Sequence, residues 1–161
     1  MKTRFWVFAS LAFLGYILSC NKSSSGGGSC TDVPVDSDSA TLLAFANVYG
    51  INPTRDSSGL YYQIISLGTG QVPTKQSTFF ITYTATLMSG TIFDSTTNAA
   101  TTGYPFDQLI PGLQIGIPKI QVGGHIKLLI PSALAYGCLG SGSLVPPNSP
   151  VFFDLVLAKI Q

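Results

Sequence analysis

Residues 78–88 read TFFITYTATLM and decide the fold class, because apolar and hydroxyl side chains alternate along them. Successive side chains of a β-strand point to opposite faces, so this two-residue period is typical of a strand with one buried face. The residues predicted to share the buried face are Phe79, Ile81, Tyr83, Ala85 and Leu87. The residues predicted for the other face are Thr82, Thr84 and Thr86. The stretch therefore predicts a half-buried antiparallel strand.

Further strands are predicted on both sides of this stretch. Ser89 and Gly90 favour a hairpin turn into a strand over residues 91–93. Residues 60–67 are rich in aromatic and β-branched side chains, and residues 125–130 follow a Gly-Gly turn. Residues 151–160, VFFDLVLAKI, are apolar on both faces, which favours a central place in the sheet.

Two short helices are predicted beside the strands. Residues 39–49 show apolar side chains at helical spacing, oxygens of residues 37–39 that can cap the first turn, and a stop at Gly50. The second helix starts at Pro111, because proline lacks the N–H that would have no partner at a helix start, and runs to Ile117.

The composition excludes several classes of protein. Only 9% of the 161 residues are charged, whereas about 25% is usual. All seven acidic residues are Asp, which argues against a coiled coil built on Glu and Lys pairs. The net charge of +1 becomes −1 once residues 1–19, with Lys2 and Arg4, are set aside. This sparse, balanced charge argues against nucleic acid as a partner.

The first residues have the pattern of a secretory signal. Lys2 and Arg4 precede an apolar run over residues 5–18, which is shorter than the roughly 20 residues needed to span a bilayer. Residues 17–20, ILSC, resemble a bacterial lipobox, which implies a lipidated Cys20 and a membrane anchor in the cell envelope, facing the periplasm or the exterior. The alternative is a plain signal with an incidental Cys. Residues 21–29, NKSSSGGGS, are typical of a flexible tether.

The two remaining cysteines are Cys30 and Cys138. An exported compartment permits a disulfide between them, and two free buried thiols are the other interpretation. The sequence alone leaves both open.

The inventory of reactive side chains is short. There is one His and no Glu, and no Cys, His and Asp cluster at metal spacing, so we predict neither a metal nor a cofactor. The Gly-x-Ser-x-Gly turn of a serine hydrolase and the Lys of a phosphate loop are missing from the sequence. His125 is predicted to be an exposed strand residue. What remains is a function that rests on shape and apolar contact.

Eight short motifs resemble those of the FKBP-type peptidyl-prolyl isomerases in order and near spacing, from about residue 72 to the last residue. They are YTATL at 83–87, GTIFDS at 90–95, IPG at 110–112, VGG at 122–124, IP at 130–131, AYG at 135–137, VPPN at 145–148 and FDL at 153–155. The resemblance implies an α+β fold, in which a curved antiparallel sheet wraps around a short α-helix, here with an N-terminal helix extension.

The resemblance also implies a set of site residues. Three would be catalytic, with a hydroxyl donor among them: Asp94, Tyr136 and Tyr83. The residues that would bind substrate are Phe93, Phe106, Leu109, Ile110, Leu113, Leu144, Val145 and Phe153. Among these, the backbone N–H of the Leu109–Ile110 pair would hold a substrate carbonyl, and Leu144 and Val145 would form an aliphatic loop over the cleft. Leu113 stands where the family usually has Trp. Asp154 is expected to be structural.

We therefore expect four segments: a lipoprotein signal over 1–19, a lipidated Cys and linker over 20–36, an N-terminal helix and leading strand over 37–71, and the isomerase domain over 72–161. The expected function is a membrane-tethered isomerase acting on proline-containing unfolded or nascent exported polypeptides. The alternative is a chaperone or peptide-binding module with the same fold and little catalysis.

Overall fold

The computed structural model describes residues 30–99 and 102–161. The signal segment and Cys20 lie outside these residues. Nine helices and strands of the described part are used below: α1 (Ser39–Val48), β1 (Thr54–Arg55), β2 (Tyr61–Ser66), β3 (Thr78–Leu87), β4 (Ile92–Thr96), β5 (Tyr104–Pro105), α2 (Pro111–Gly116), β6 (His125–Ile130) and β7 (Val151–Ile160). Short 3₁₀ turns fill several of the connections.

The strands form one antiparallel sheet in the order β1-β2-β6-β7-β3-β4, and β5 pairs with β3. The predicted central place of residues 151–160 is confirmed, because β7 pairs with β6 on one side and with β3 on the other. The predicted antiparallel strand over residues 78–88 is confirmed as β3. The leading strand β2 joins the same sheet through β6, so residues 37–71 do not stand apart from residues 72–161.

The main core lies between the sheet and α2. Alternate residues of β6 and β7 point into it, including Leu128, Phe153 and Leu155. Helix α2 packs closely on β6 because Gly116 leaves room for Leu128, whose terminal carbons would lie 2.6 Å from a β-carbon at that glycine. This close packing sets the depth of the space between α2 and the sheet.

Helix α1 covers part of the opposite face of the sheet. Its buried residues Leu42, Phe45 and Ala46 pack with Leu129 of β6, which points away from the main core. Asp38 occupies the N-cap position but makes no capping hydrogen bond. This differs from the expectation that residues 37–39 cap the helix, because the Asp38 carboxylate binds a distant loop instead.

The structure also corrects the expected linker over residues 20–36. Cys30 and Cys138 form a disulfide with their Cα atoms 5.6 Å apart, and residues 35–38 form a 3₁₀ turn. Residues 30–36 are thus attached to the domain. In the described part of the chain, no helix has the length and hydropathy to cross a membrane.

Candidate active site

A cavity of about 200 Å³ opens between α2, the sheet and the loop after β6. Apolar and aromatic side chains line it, together with a few polar groups that point inward. The lining residues are Ile81, Tyr83, Asp94, Tyr104, Gln108, Leu109, Ile110, Leu113, Tyr136 and Phe153. Seven of the predicted site residues therefore meet at one place, drawn from β3, β4, β7, α2 and two loops.

A hydrogen bond joins two of the predicted catalytic residues. The Tyr83 hydroxyl donates to Oδ2 of Asp94 at 2.6 Å, across the pairing of β3 with β4. The register of this pair shifts opposite residues 92–94, which turns Asp94 toward the cavity wall. Burial, and after it the hydrogen bond to Asp94, raise the pKa of Tyr83 well above its ordinary value. Tyr83 is therefore a protonated donor at any physiological pH.

Tyr136 brings a second hydroxyl to the cavity. Its ring packs edge-on against Phe93, with centroids 6.0 Å apart and an interplanar angle of 85°. Burial, and to a smaller degree the negative charge of Asp94, raise the pKa of Tyr136. The Tyr136 hydroxyl can therefore donate a hydrogen bond but cannot act as a base near neutral pH.

Phe153 of β7 packs against Tyr83 on one side and against Phe93, the ring that contacts Tyr136, on the other. Its ring lies 5.6 Å from that of Tyr83 and 6.1 Å from that of Phe93, measured between centroids. Edge-to-face and tilted packing of this kind favours one arrangement of the rings over others. Phe93 does not line the cavity itself and instead supports Tyr136 and Phe153 from behind.

The residues before α2 supply the backbone groups of the site. The amide of Gln114 donates to the Leu109 carbonyl at 2.7 Å and holds this turn in place. Ile110 lies at the N-cap of α2, and within residues 30–99 and 102–161 its N–H has no hydrogen-bond partner. A free N–H at the wall of an apolar cavity is suited to bind a carbonyl oxygen.

Besides Phe93, three other predicted substrate-binding residues are not among those that line the cavity. Phe106 packs against buried Phe79, with ring centroids 6.1 Å apart. Val145 is only 1% exposed and belongs to the main core, while Leu144 is 62% exposed on the outside of its loop. The loop is closed by a bridge between residues 141 and 145, which turns Val145 inward. These positions differ from those that the resemblance implied.

Two polar residues of the cavity were missed. Tyr104 lies edge-on to Tyr83, with centroids 6.3 Å apart, and Gln108 follows it in a 3₁₀ turn. The two-residue strand β5 carries Tyr104 and pairs with the start of β3. The stretch has no periodicity, and the only sequence signal for Tyr104 is an aromatic residue directly after Gly103.

A second, more open groove of about 510 Å³ lies over strands β3, β4 and β7. Threonines 82, 84, 96 and 97 form much of its lining. It is larger, yet it is also more open, so the smaller and less open cavity is the better candidate for binding. The described residues contain no group of three or more His, Cys, Asp or Glu side chains that could hold a metal ion.

The contacts of Asp154 and His125 agree with structural roles. His125 Nε2 contacts Oδ1 of Asp154 on the neighbouring strand β7, and Lys127, which pairs with Asp154 in the sheet, has its Nζ 3.9 Å from the other oxygen. Neither His125 nor Asp154 is among the residues that line the enclosed cavity.

Comparisons with known proteins agree with this geometry. The family model of the FKBP-type peptidyl-prolyl cis-trans isomerases matches residues 70–158. The isomerase FkpA of Escherichia coli K12 is 39% identical over 121 residues, covering 73% of this chain and 43% of that protein. A probable FkpA of Neisseria meningitidis is 39% identical over 105 residues, covering 65% of this chain and 39% of that protein.

The crystal structure of FkpA from Escherichia coli aligns with a TM-score of 0.66 and 33% identity over 77% of this chain and 59% of that one. The chain spans about two fifths of the length of the curated relatives named above. The matched residues include strands β3 to β6, most of β7, α2 and every residue that lines the cavity. The chain therefore belongs to the family of FKBP-type peptidyl-prolyl cis-trans isomerases.

Proposed function

We propose that this chain catalyses cis–trans isomerisation of X-Pro peptide bonds in unfolded or newly exported polypeptides. The observation that carries the proposal is the convergence of the Tyr83–Asp94 hydrogen bond and the Tyr136 hydroxyl on one mostly apolar cavity. Membership of the isomerase family supports it. The cavity volume of about 200 Å³ suits a prolyl ring and its neighbouring peptide group rather than a large cofactor.

The chemistry of the reaction fits the groups that are present. Rotation about a peptide bond is opposed by amide resonance, with a barrier of about 18–20 kcal/mol. The twisted amide has lost this resonance, so no bond to another atom has to form or break. A site that binds the twisted form better than either planar form lowers the barrier. Apolar walls exclude water, which would otherwise stabilise the planar, more polar amide.

Two donors can orient the peptide during rotation. The free N–H of Ile110, at the start of α2, is placed to donate a hydrogen bond to a substrate carbonyl. The protonated hydroxyl of Tyr136 is placed to bind a second carbonyl across the cavity. With one carbonyl held at each side, the peptide bond between them is free to turn. Neither donor has to give up its proton.

A second candidate function is peptide binding with little turnover. The observation that favours it is Leu113, which is 6% exposed and lines the cavity where the family usually has Trp. An aliphatic side chain there offers a prolyl ring less surface for stacking. Such a site would hold prolyl segments of unfolded chains without strongly favouring the twisted amide.

We further propose that Cys20 is lipidated and holds the domain at a membrane of the bacterial cell envelope. The sequence ILSC at residues 17–20 supports this placement. A relative in Legionella longbeachae, 36% identical over 105 residues, is named outer membrane protein MIP. The clients would then be polypeptides that have crossed the inner membrane and are still unfolded.

The first experiment measures isomerisation without a coupled protease. Full-length protein is added to Xaa-Pro tetrapeptides, and cis–trans exchange is followed by NMR exchange spectroscopy. We expect faster cis–trans exchange with the wild-type protein than in buffer alone. Asp94→Ala should lose this acceleration. A folded sample that leaves the uncatalysed rate unchanged overturns the enzyme proposal. If that sample still broadens the peptide signals, the binding function replaces it.

The second experiment tests the anchor. Membrane fractions of cells that produce the wild-type chain should contain the protein, while Cys20→Ala should shift it to the soluble fraction. Ser19→Ala is the matched control, because it keeps a small residue before Cys20 and should leave the protein on membranes. Continued sedimentation of Cys20→Ala with membranes would contradict lipidation.

A further inference from the structure

The loop that carries Tyr136 is held by residues more than a hundred positions earlier in the chain. Cys30 is bonded to Cys138, with a sequence separation of 108. Oδ1 of Asp32 accepts a hydrogen bond of 2.7 Å from the Cys138 N–H. A covalent bond and a charge-assisted hydrogen bond therefore act on the same residue, two positions after Tyr136.

The other end of the loop is held by Asp38. Its Oδ2 accepts hydrogen bonds from the N–H of Ser132 at 2.7 Å and from the Ser132 hydroxyl at 2.6 Å. Ser132 is fully buried, so both donors would be left without a partner if this carboxylate were removed. We call Cys30, Asp32 and Asp38 the N-terminal clamp.

Gly137 shows how closely the clamp fits the loop. Its φ of +57° lies in the left-handed region that favours glycine, and a β-carbon there would collide with Oδ1 of Asp32. The carboxylate thus lies directly against the backbone between Tyr136 and Cys138. A change in the position of this carboxylate moves the residue that follows Tyr136.

The loop has little internal structure of its own. Two three-residue 3₁₀ turns, Ser132–Leu134 and Gly137–Leu139, flank Tyr136. Turns of this length contribute few hydrogen bonds, so their geometry depends on outside contacts. The clamp supplies such contacts at both ends, and the Phe93 ring supplies one for the tyrosine side chain.

We propose that Asp32 and the Cys30–Cys138 disulfide are positioning groups for the Tyr136 hydroxyl, so that the N-terminal clamp determines how well the cavity binds and turns a prolyl peptide. This rests on the proposed isomerase function. The clamp residues touch neither the cavity nor the substrate, and they act only through the loop. Misplacement of a binding group by about 1 Å can cost up to about 100-fold in rate, so an effect of about tenfold is expected.

A double-mutant cycle tests whether Asp32 acts through Tyr136. Prolyl isomerisation is measured on full-length wild type, Asp32→Ala, Tyr136→Phe and the double variant, each under conditions where urea titration shows a folded protein. We expect Asp32→Ala to lower kcat/KM about tenfold. The double variant should be no slower than Tyr136→Phe alone, because the hydroxyl that Asp32 positions is then already missing.

Two further variants separate positioning from general destabilisation. Asp32→Asn keeps a carbonyl oxygen that accepts the Cys138 N–H, and we expect it to restore most of the activity. Asp36→Ala removes an exposed carboxylate of the same segment that pairs with Arg55, and it should leave kcat/KM unchanged. Independent, multiplicative losses in the double variant, or no rescue by Asp32→Asn, would overturn the proposal.

A spectroscopic measurement decides the proposal even if the wild-type chain proves inactive. The Tyr136 and Phe93 rings should give a proton–proton nuclear Overhauser contact that weakens in Asp32→Ala, while the contact between Tyr83 and Phe153 persists. An unchanged Tyr136–Phe93 contact would refute positioning by the clamp. Loss of that contact in an inactive protein would support the clamp and refute only the isomerase function.

Discussion

Tyr83 and Asp94 lie on neighbouring strands and share a hydrogen bond of 2.6 Å at the wall of the cavity. The carboxylate is on the exposed side of this pair, and the phenol ring is packed against Phe153. The half-buried Tyr83 ring therefore fixes the direction of the exposed Asp94 carboxylate. Asp94 is held so that one oxygen accepts from Tyr83, while the other has no hydrogen-bond partner among the residues that the structure describes.

This relationship predicts how the two residues combine. We expect Asp94→Ala to lower kcat/KM by about tenfold or more, equivalent to about 1.4 kcal/mol. Tyr83→Phe should lower it less, and the double variant should match Asp94→Ala, because Tyr83 acts on the carboxylate. Steady-state isomerisation of the four proteins measures this. Asp107→Ala removes an exposed carboxylate outside the cavity and should leave kcat/KM unchanged. If the losses of Asp94→Ala and Tyr83→Phe multiply in the double variant, Tyr83 does not act through the carboxylate.

Leu113 predicts a gain-of-affinity variant. Leu113→Trp places a larger aromatic surface at the cavity, and aromatic contacts are worth about 0.5–1.5 kcal/mol beyond area burial. We expect KM for prolyl peptides to fall about two- to tenfold. The only native Trp is Trp6, so the new indole also reports binding through its fluorescence. Val48→Trp, on exposed surface of α1, is the control whose fluorescence should not respond; weaker binding by Leu113→Trp would contradict the prediction.

The ion pair between Lys119 and Asp56 predicts a pH dependence of stability. Lys119 Nζ lies 2.6 Å from Oδ2 of Asp56, and the Ser58 N–H binds the other oxygen at 2.9 Å. The hydrogen bond from Lys119 first, and those from Ser58 next, lower the pKa of Asp56 far below its ordinary value. The unfolded chain, whose Asp pKa is about 3.9, therefore binds a proton at a higher pH than the native protein does.

The stabilisation by Asp56 is thus present above about pH 5 and declines as the pH falls toward the lowered pKa. Urea unfolding of wild type and Asp56→Asn should differ most near pH 7, and the difference should shrink between about pH 5 and pH 2. Asp36→Asn breaks the exposed pair with Arg55 and should change stability much less, because solvent screens this pair. A wild-type advantage that grows on acidification would disprove this assignment.

The disulfide predicts sensitivity of stability to reduction. Closing a loop between residues 30 and 138 removes entropy from the unfolded chain, and such bonds typically contribute about 2–4 kcal/mol. Dithiothreitol, which supplies the two electrons and two protons and becomes a cyclic disulfide, should lower the free energy of unfolding by that amount and shift the urea midpoint to a lower concentration. The Cys30→Ser, Cys138→Ser double variant should unfold at the reduced midpoint with or without dithiothreitol. Equal midpoints for oxidised and reduced wild type would show that the bond contributes nothing.

Elements with a clear period were predicted well from the sequence. The alternation of residues 78–88 predicted β3 to within one residue, and residues 125–130 and 151–160 match β6 and β7. Their side chains face a continuous core, and so the apolar positions in the sequence are the buried positions in the structure. Strand β4 runs to Thr96, beyond the predicted residue 93, because pairing with β3 continues across polar residues that have no hydrophobic period.

The remaining features depend on contacts between distant residues. Strand β5 has two residues, too few for any period, and so Tyr104 was missed at the cavity. The position of Asp38 at the start of α1 predicted a helix cap, but its carboxylate instead accepts two hydrogen bonds from buried Ser132. Val145 is turned into the core by the closing of its own loop, which its sequence motif does not reveal. The sequence also leaves the state of Cys30 and Cys138 open, because only the folded chain brings together two cysteines that are 108 residues apart.

The central position of β7 has a consequence for the order in which the domain can form. Among the strands of residues 30–99 and 102–161, β7 comes last in the sequence, yet it alone hydrogen-bonds both β6 and β3. Until it arrives, the strands β1, β2 and β6 have no backbone pairing with β3, β4 and β5. Phe153, a wall of the cavity, is missing until the same moment. A chain delivered amino end first therefore stays open until residues 151–160 are released, and sheet and cleft are then completed together in a single late closure.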